Sequence, residues 1–107
     1  MVKKRQIDFS LFKRVTLDTL DMIADGIFLT DLTEKVSINY LNSKWEHNIN
    51  DYEKAKLQDG TISNIAKNNG WKTEKRQVVE SYLVEDEILR HQKMRIFLYR
   101  REKNSNN

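Results

Sequence analysis

The clearest hydrophobic pattern lies in the last third of the chain. Valines and a tyrosine are concentrated between Gln77 and Val84, and apolar residues alternate with polar or aromatic ones from Met94 to Arg101. Because successive side chains of a strand point to opposite faces, this pattern predicts two long β-strands. We expect them to pair antiparallel through a connection within residues 85–91, next to the acidic break Glu85-Asp86-Glu87.

Three earlier segments are also predicted to be short strands. Ile7–Leu11 and Val36–Tyr40 alternate with period two, and Gly26–Thr30 is an apolar run whose short length and glycine favour a buried strand. Between the predicted strands Ile7–Leu11 and Gly26–Thr30, Thr16 is a candidate N-cap for a helix that Gly26 would end. A single longer helix from Ser10 to Asp25 is the alternative for this region.

The middle of the chain predicts two helices. The polar stretch Asn48–Gly60 is typical of an exposed helix that starts at Asn48 or Asn50 and ends at Gly60. Thr61 would then cap a second, short helix with Ile62, Ile65 and Ala66 on its apolar face. Gly70 follows that helix, and we expect Trp71 to pack back onto it.

The predicted order is therefore β-α-β-β-α-α-β-β, which places the protein in the α+β class. We expect one domain over residues 1–107, with a frayed tail at 104–107, and a small, curved, mostly antiparallel sheet or barrel with two to three flanking helices. A winged helix is the competing fold, with Ile62–Asn69 and Thr73–Leu89 as a helix-turn-helix and Met94–Arg101 as the wing. The valines of Gln77–Val84 favour the strand interpretation.

Composition is that of a small globular domain. Of 107 residues, 38% are hydrophobic and 33% charged, and the aromatic residues are too numerous for a wholly disordered chain. The absence of cysteine excludes disulfides and cysteine-based zinc sites. No apolar run approaches the roughly 20 residues of a membrane span, and no apolar stretch follows the basic start Met1–Arg5. We therefore expect no membrane partner and a cytoplasmic location.

Motifs for catalysis and metal binding are missing from the sequence. The two histidines, His47 and His91, are far apart and neither belongs to a ligand-spaced pair. The three glycines are scattered and form no phosphate-binding loop, and no nucleophile turn surrounds a serine. We predict a non-enzymatic protein with no catalytic residue, no cofactor and no metal site.

Charge is distributed unevenly along the chain, although the formal net charge is only +3. Thr16–Glu34 holds five acids and no lysine or arginine, whereas Ile88–Lys103 holds six bases and one acid. A basic segment whose charges share one face attracts polyanions. The same charges could instead pair with the acidic segment or protect a strand edge from aggregation.

One group of residues in the last strand favours nucleic-acid binding. Period two places Arg95, Phe97, Tyr99 and Arg101 on a single face, and single-stranded nucleic acid is held by rings that stack on bases and arginines that meet phosphates. We expect Lys103 and the basic N-terminal residues Lys3-Lys4-Arg5 to add phosphate contacts. The alternative is a sheet covered on both sides, with the two rings packed beneath a helix.

Three segments together resemble a known family. The run Trp71-Lys72-Thr73-Glu74-Lys75-Arg76-Gln77-Val78-Val79-Glu80-Ser81-Tyr82, the basic strand Met94–Arg101 and the front segment Thr16–Gly26 are similar to the PrgU-type small regulatory proteins of pheromone-responsive conjugative plasmids. This resemblance implies a PUA-like fold, a plasmid-encoded gene, and a role in limiting production of a surface adhesin with RNA as the target.

The sequence thus predicts a nucleic-acid-binding regulator with single-stranded RNA as its partner. Its candidate residues are Arg95, Phe97, Tyr99, Arg101 and Lys103. A protein-interaction module or homodimer without nucleic acid is the first alternative, because the acidic and basic segments could pair between two copies. A winged-helix DNA-binding protein is the second.

Overall fold

A computed structural model describes residues 7–44 and 49–100 of the chain. They form α1 (Phe9–Asp21), β1 (Gly26–Phe28), α2 (Leu29–Asn42), α3 (Ile49–Lys56), α4 (Asp59–Asn68), β2 (Trp71–Val84) and β3 (Glu87–Arg100). Within these residues the three strands make one antiparallel sheet in the order β1-β3-β2. The α+β class and the antiparallel sheet are confirmed. The described residues contain four helices instead of the two to three expected, and the sheet is open rather than closed into a barrel.

The first helix corrects the prediction of a strand over Ile7–Leu11. Asp8 caps α1, and its Oδ1 accepts a hydrogen bond from the backbone N–H of Leu11 at 3.2 Å. Phe12, Val15 and Leu20 are buried on one face of this helix, whereas Phe9, which the strand interpretation placed beside Ile7 and Leu11, is exposed. The longer-helix alternative is therefore closer, although α1 ends at Asp21 and Gly26 begins a strand instead of ending the helix.

The second helix corrects the prediction of a strand over Val36–Tyr40. Val36 and Tyr40 are four residues apart and both are buried, as are Leu29 and Leu32 on the same face of α2. Ile38, which the strand interpretation placed beside them, is exposed. Alternation over only five residues also matches helical spacing at positions i and i+4, so this short window favoured the wrong element.

Hydroxyl groups buried in these two helices are satisfied locally. Thr16 and Thr19 in α1, and Thr33 and Ser37 in α2, each donate to the carbonyl four residues earlier at 2.6–2.8 Å. The hydroxyl of Tyr40 accepts from the backbone N–H of Asp8 at 3.0 Å. These bonds allow polar side chains to lie inside a helical core without unsatisfied donors.

The predicted pair of middle helices is confirmed with shifted ends. The first, α3, ends at Lys56 instead of Gly60, and Gly60 lies in the first turn of α4. Ile62 and Ala66 are buried as the apolar face of α4 required, and Trp71 is buried directly after it. The proposed start at Asn48 lies outside the described residues.

The two long C-terminal strands are confirmed and are longer than predicted. Every residue of β2 pairs with one of β3, from Trp71 opposite Arg100 to Val84 opposite Glu87. The strands are joined by Glu85 and Asp86, whose φ angles are 47° and 66°, as expected for a type I′ hairpin turn. Residues 73–89 are therefore not a helix, and the winged-helix alternative is wrong.

The root of this hairpin attaches the sheet to the helices. We call the face that carries Trp71 and Leu98 the inner face; both side chains are buried in one cluster with residues of α1, α2 and α4. Ile27 of β1 pairs with Leu98 and packs against the same cluster. In the described residues, no helix combines the length and the apolar character needed to cross a lipid bilayer.

Leu98→Ala is expected to destabilise the protein by about 2–5 kcal/mol, because it opens a cavity in the seam between sheet and helices. Urea unfolding followed by circular dichroism measures the change. Leu57→Ala, which alters an exposed leucine, is the control and is expected to change stability by no more than about 0.5 kcal/mol. Equal effects of the two variants would contradict the central role of Leu98.

Replacing the turn residues by Asn-Gly, with Glu85→Asn and Asp86→Gly, is expected to stabilise the hairpin by about 1 kcal/mol. Both positions have positive φ, which strains most residues with a side chain, whereas asparagine and glycine adopt it readily. Amide hydrogen exchange at Tyr82 and Leu89, the hydrogen-bonded pair nearest the turn after Val84–Glu87, measures the gain. Glu85→Ala with Asp86→Ala removes the same two charges and keeps each Cβ. If that control protects the amides equally, charge and not backbone strain governs the turn.

Candidate functional site

The outer face of the sheet, opposite the helices, carries an aromatic cluster at its root. The rings of Phe28 and Phe97 meet edge to face, with centroids 5.1 Å apart, and Phe97 and Tyr99 are stacked at 6.4 Å. All three side chains are partly buried, and none is fully buried. The two rings predicted to stack on bases therefore lie on one face, as period two required.

The Phe97 ring is already enclosed by its neighbours. A Cβ at Gly26 would lie 2.4 Å from Cζ of Phe97, so only glycine allows the ring this close to β1. On the β2 side, the guanidinium carbon of Arg76 lies 3.7 Å from the Phe97 ring centroid, a cation–π contact. A nucleic-acid base would have to displace Arg76 to stack on that side of the ring.

The predicted phosphate-binding residue Arg95 is also engaged within the chain. Its Nη1 donates to Oγ1 of Thr30 at 2.9 Å, and its guanidinium forms an ion pair with Glu80. Glu80 also meets Nζ of Lys93 at 3.5 Å and accepts a hydrogen bond from the Tyr82 hydroxyl. One carboxylate thus gathers three donors, and it offsets the positive charge that a phosphate would seek.

The remaining predicted site residues cannot be placed with these three. Arg101, Lys103 and the basic N-terminal residues Lys3-Lys4-Arg5 lie outside the described residues. Of the two histidines, His47 also lies outside them. His91 is exposed and pairs with Glu80 across the hairpin. Of the predicted constellation, the structure brings together Arg95, Phe97 and Tyr99.

Beyond the pair Phe28–Phe97, no strand among the described residues lies beside β3 on the β1 side, and the sheet narrows to two strands. We call this two-stranded part, residues 75–96, the arm. None of its residues is buried, and only Val78, Glu80 and Arg95 are partly buried. The radius of gyration is 16.7 Å, whereas a compact domain of this size has about 13 Å. The arm therefore extends away from the helical body.

The inner face of the arm continues the face that holds Leu98, but none of the helices described, α1 to α4, covers it. Five large apolar side chains expose 38% to 74% of their surface, and the residues between them are polar or basic with no acid among them. The apolar residues are Val79, Leu83, Ile88, Met94 and Ile96, and the others are Lys75, Gln77, Ser81, Arg90 and Gln92.

The outer face of the arm differs in its charge. It carries the Glu80 network with Lys93, Arg95 and Tyr82, so acids and bases there satisfy one another. On the inner face, Lys75 and Arg90 have no acidic partner among the described residues. The inner face therefore combines uncovered apolar area with unneutralised positive charge.

The sequence interpretation overlooked this surface, although its signal was present. Val79, Leu83 and Ile88 lie at period-two positions that continue the face of Leu98. Such positions are ordinarily assigned to the core, and only their exposure in the structure shows that the rest of the described chain leaves them uncovered. Within the residues described, no three histidine, aspartate or glutamate side chains are grouped as a metal site.

Comparisons with known proteins give no relative: no family model, no curated protein and no solved structure matches the chain. The geometry of the arm and of the outer face is therefore the basis for a functional assignment.

Proposed function

We propose that this protein is a protein-interaction module and that the inner face of the arm is its binding surface. The observation that carries the proposal is the row of five exposed apolar side chains on a two-stranded extension with no cover among the described residues. Contiguous apolar surface of this kind marks interaction sites in soluble proteins.

The physics of a two-stranded ribbon supports this assignment. An isolated hairpin is at best marginally stable in water, since each strand has a neighbour on one side only. A partner that covers the inner face removes apolar area from water and supplies the packing layer that the helices supply at the root. Binding and ordering of the arm would therefore reinforce each other.

The outer face helps the arm to hold its shape before a partner arrives. The contacts of Glu80 with Lys93 and Arg95 join β2 to β3 across the arm, and Thr30 connects Arg95 to the start of α2. An arm held in this way loses less conformational entropy on binding. The function is one of binding, with no bond made or broken.

The proposal predicts that Val79→Thr, Leu83→Thr and Ile88→Thr together weaken association at least about 100-fold, because each buried apolar side chain contributes about 1.5–3 kcal/mol. Threonine keeps the strand preference. Sedimentation velocity measures self-association, and titration with any purified partner first found by affinity capture measures association between different proteins.

The matched control is Val84→Thr and Leu89→Thr on the outer face of the same arm together with Leu57→Thr on the helical body, three exposed apolar residues outside the Glu80 network. This variant should bind like the wild type, with both variants unfolding at similar temperatures. If the inner-face variant keeps wild-type affinity for itself and for every purified partner, the proposed function is wrong.

A second candidate function is binding of single-stranded RNA at the root of the outer face. The half-buried Tyr99, beside Phe97 and the exposed Lys72 and Arg76, is the observation that favours it. The PrgU-type resemblance supports it too, since it implies a PUA-like, plasmid-encoded regulator that limits a surface adhesin through RNA. On this proposal a phosphate competes with Glu80 for Arg95.

This candidate predicts that Glu80→Gln raises RNA affinity, because the substitution releases Arg95 and Lys93 for phosphates. The slope of log K against log salt should steepen by about 0.7 for each phosphate newly contacted. Titration of a fluorescent oligonucleotide at two salt concentrations measures both effects. Glu87→Gln, an outer-face acid at the tip of the arm, should leave affinity nearly unchanged. No RNA binding by either wild type or Glu80→Gln at low salt would exclude the candidate.

A further inference from the structure

We infer that the partner of the arm is a second copy of this chain, and that two arms pack inner face to inner face about a two-fold axis through the Val79–Gln92 pair. The inference rests on the proposed function and names its partner. A second copy fits the register of the hairpin, the placement of its charges and the area that two arms would cover.

The register makes the inner face complementary to itself about this axis. The axis lies between the two faces and runs across the strands. Each cross-strand pair on one arm therefore lies over the pair that is equally far from Val79, on its other side, in the other arm. The apolar tip pair Leu83–Ile88 of one copy lies over Lys75–Ile96 of the other, and Val79–Gln92 lies over its own symmetry mate. Apolar side chains therefore meet at both ends and at the centre of the contact.

The two bases of the inner face avoid each other in this arrangement. Lys75 of one chain lies over Leu83 and Ile88 of the other, where its methylene stem covers apolar surface and its ammonium reaches water. Arg90 of one chain lies over the Gln77–Met94 pair of the other. Because Nε2 of Gln77 donates to Oε1 of Gln92 at 2.6 Å, Oε1 of Gln77 is left to accept from that arginine.

The contact is large enough for a weak but specific dimer. From the Lys75 pair to the Leu83 pair, the arm is about 27 Å long at about 3.4 Å per residue, and two strands with their side chains are about 10 Å wide. Allowing for side-chain relief, such a face buries on the order of 500 Å² per chain, or about 1,000 Å² in all, the lower limit for a specific interface.

The salt response separates this dimer from one held by charge. Pairing between the acidic segment Thr16–Glu34 and the basic segment Ile88–Lys103 would weaken as salt rises. The inner-face dimer contains no acid–base pair, and salt screens the repulsion among its lysines and arginines. It should therefore persist, or tighten, between low and high salt.

Single-cysteine cross-linking tests the axis directly, since the natural chain contains no cysteine. A residue on a two-fold axis lies beside its own symmetry mate, so Val79→Cys is expected to form a covalent dimer on mild oxidation or with a short bismaleimide. Leu89→Cys on the outer face of the arm and Met22→Cys on the body are exposed controls and should remain largely monomeric under the same conditions. Gln92→Cys, from the same cross-strand pair, repeats the test should the first variant fold poorly.

Sedimentation of the pure wild-type protein at two salt concentrations completes the experiment. A salt-resistant dimer, with cross-linking at Val79 or Gln92 well above both controls, supports the inference. A wild-type dimer whose cysteines at these positions cross-link no better than the controls overturns the two-fold arrangement. A wild-type monomer overturns the second copy as partner, and the proposed function still stands if the inner-face threonine variant loses binding to a different purified protein.

Discussion

The burial of Leu98 and Trp71 against the helices is the contact on which the rest of the sheet depends. It attaches the root of the hairpin to the core. It also determines which residues of β2 and β3 have their side chains on the inner face and which on the outer face. Because side chains alternate along a strand, burying Leu98 turns Phe97 and Tyr99 outward. The same alternation, carried along the hairpin, puts Val79 and Leu83 on the inner face, beyond the reach of the helices. A slip of one residue would exchange the two faces.

The length of β1 sets where the covered sheet ends. Its three residues pair with β3 only as far as Phe28 opposite Phe97, whereas β2 and β3 continue to the turn at Glu85–Asp86. Past that point, within residues 7–44 and 49–100, each strand has one neighbouring strand and no helix packs on either face. The outer face compensates with ion pairs around Glu80, but the inner face offers no comparable contacts among the described residues. The difference between the faces therefore follows from one short strand.

Sequence pattern predicted the long elements and failed on the short ones. The hairpin and the helix pair at α3 and α4 were predicted because their patterns extend over many residues. Val36–Tyr40 was misassigned because i and i+4 share a face in both strand and helix. For the outer-face site, period two correctly grouped Arg95 with Phe97 and Tyr99. Their existing partners could not be predicted, since the approach of Glu80, Arg76 and Gly26 depends on cross-strand register and side-chain reach.

The arm also explains why binding and stability should be linked in this protein. In the described sheet β2 is an edge strand, so its outer backbone donors and acceptors pair with no other described strand. From Gln77 to Val84 only Glu80 carries a charge. Such a segment risks pairing with unrelated strands. A partner that covers the inner face removes its exposed apolar side chains from water, and these are side chains that favour such pairing. The same contact orders the ribbon. A partner that binds only the ordered arm must also stabilise it, by an amount set by its concentration and affinity. The surface that lowers the stability of the isolated chain is thus the one whose occupation restores it.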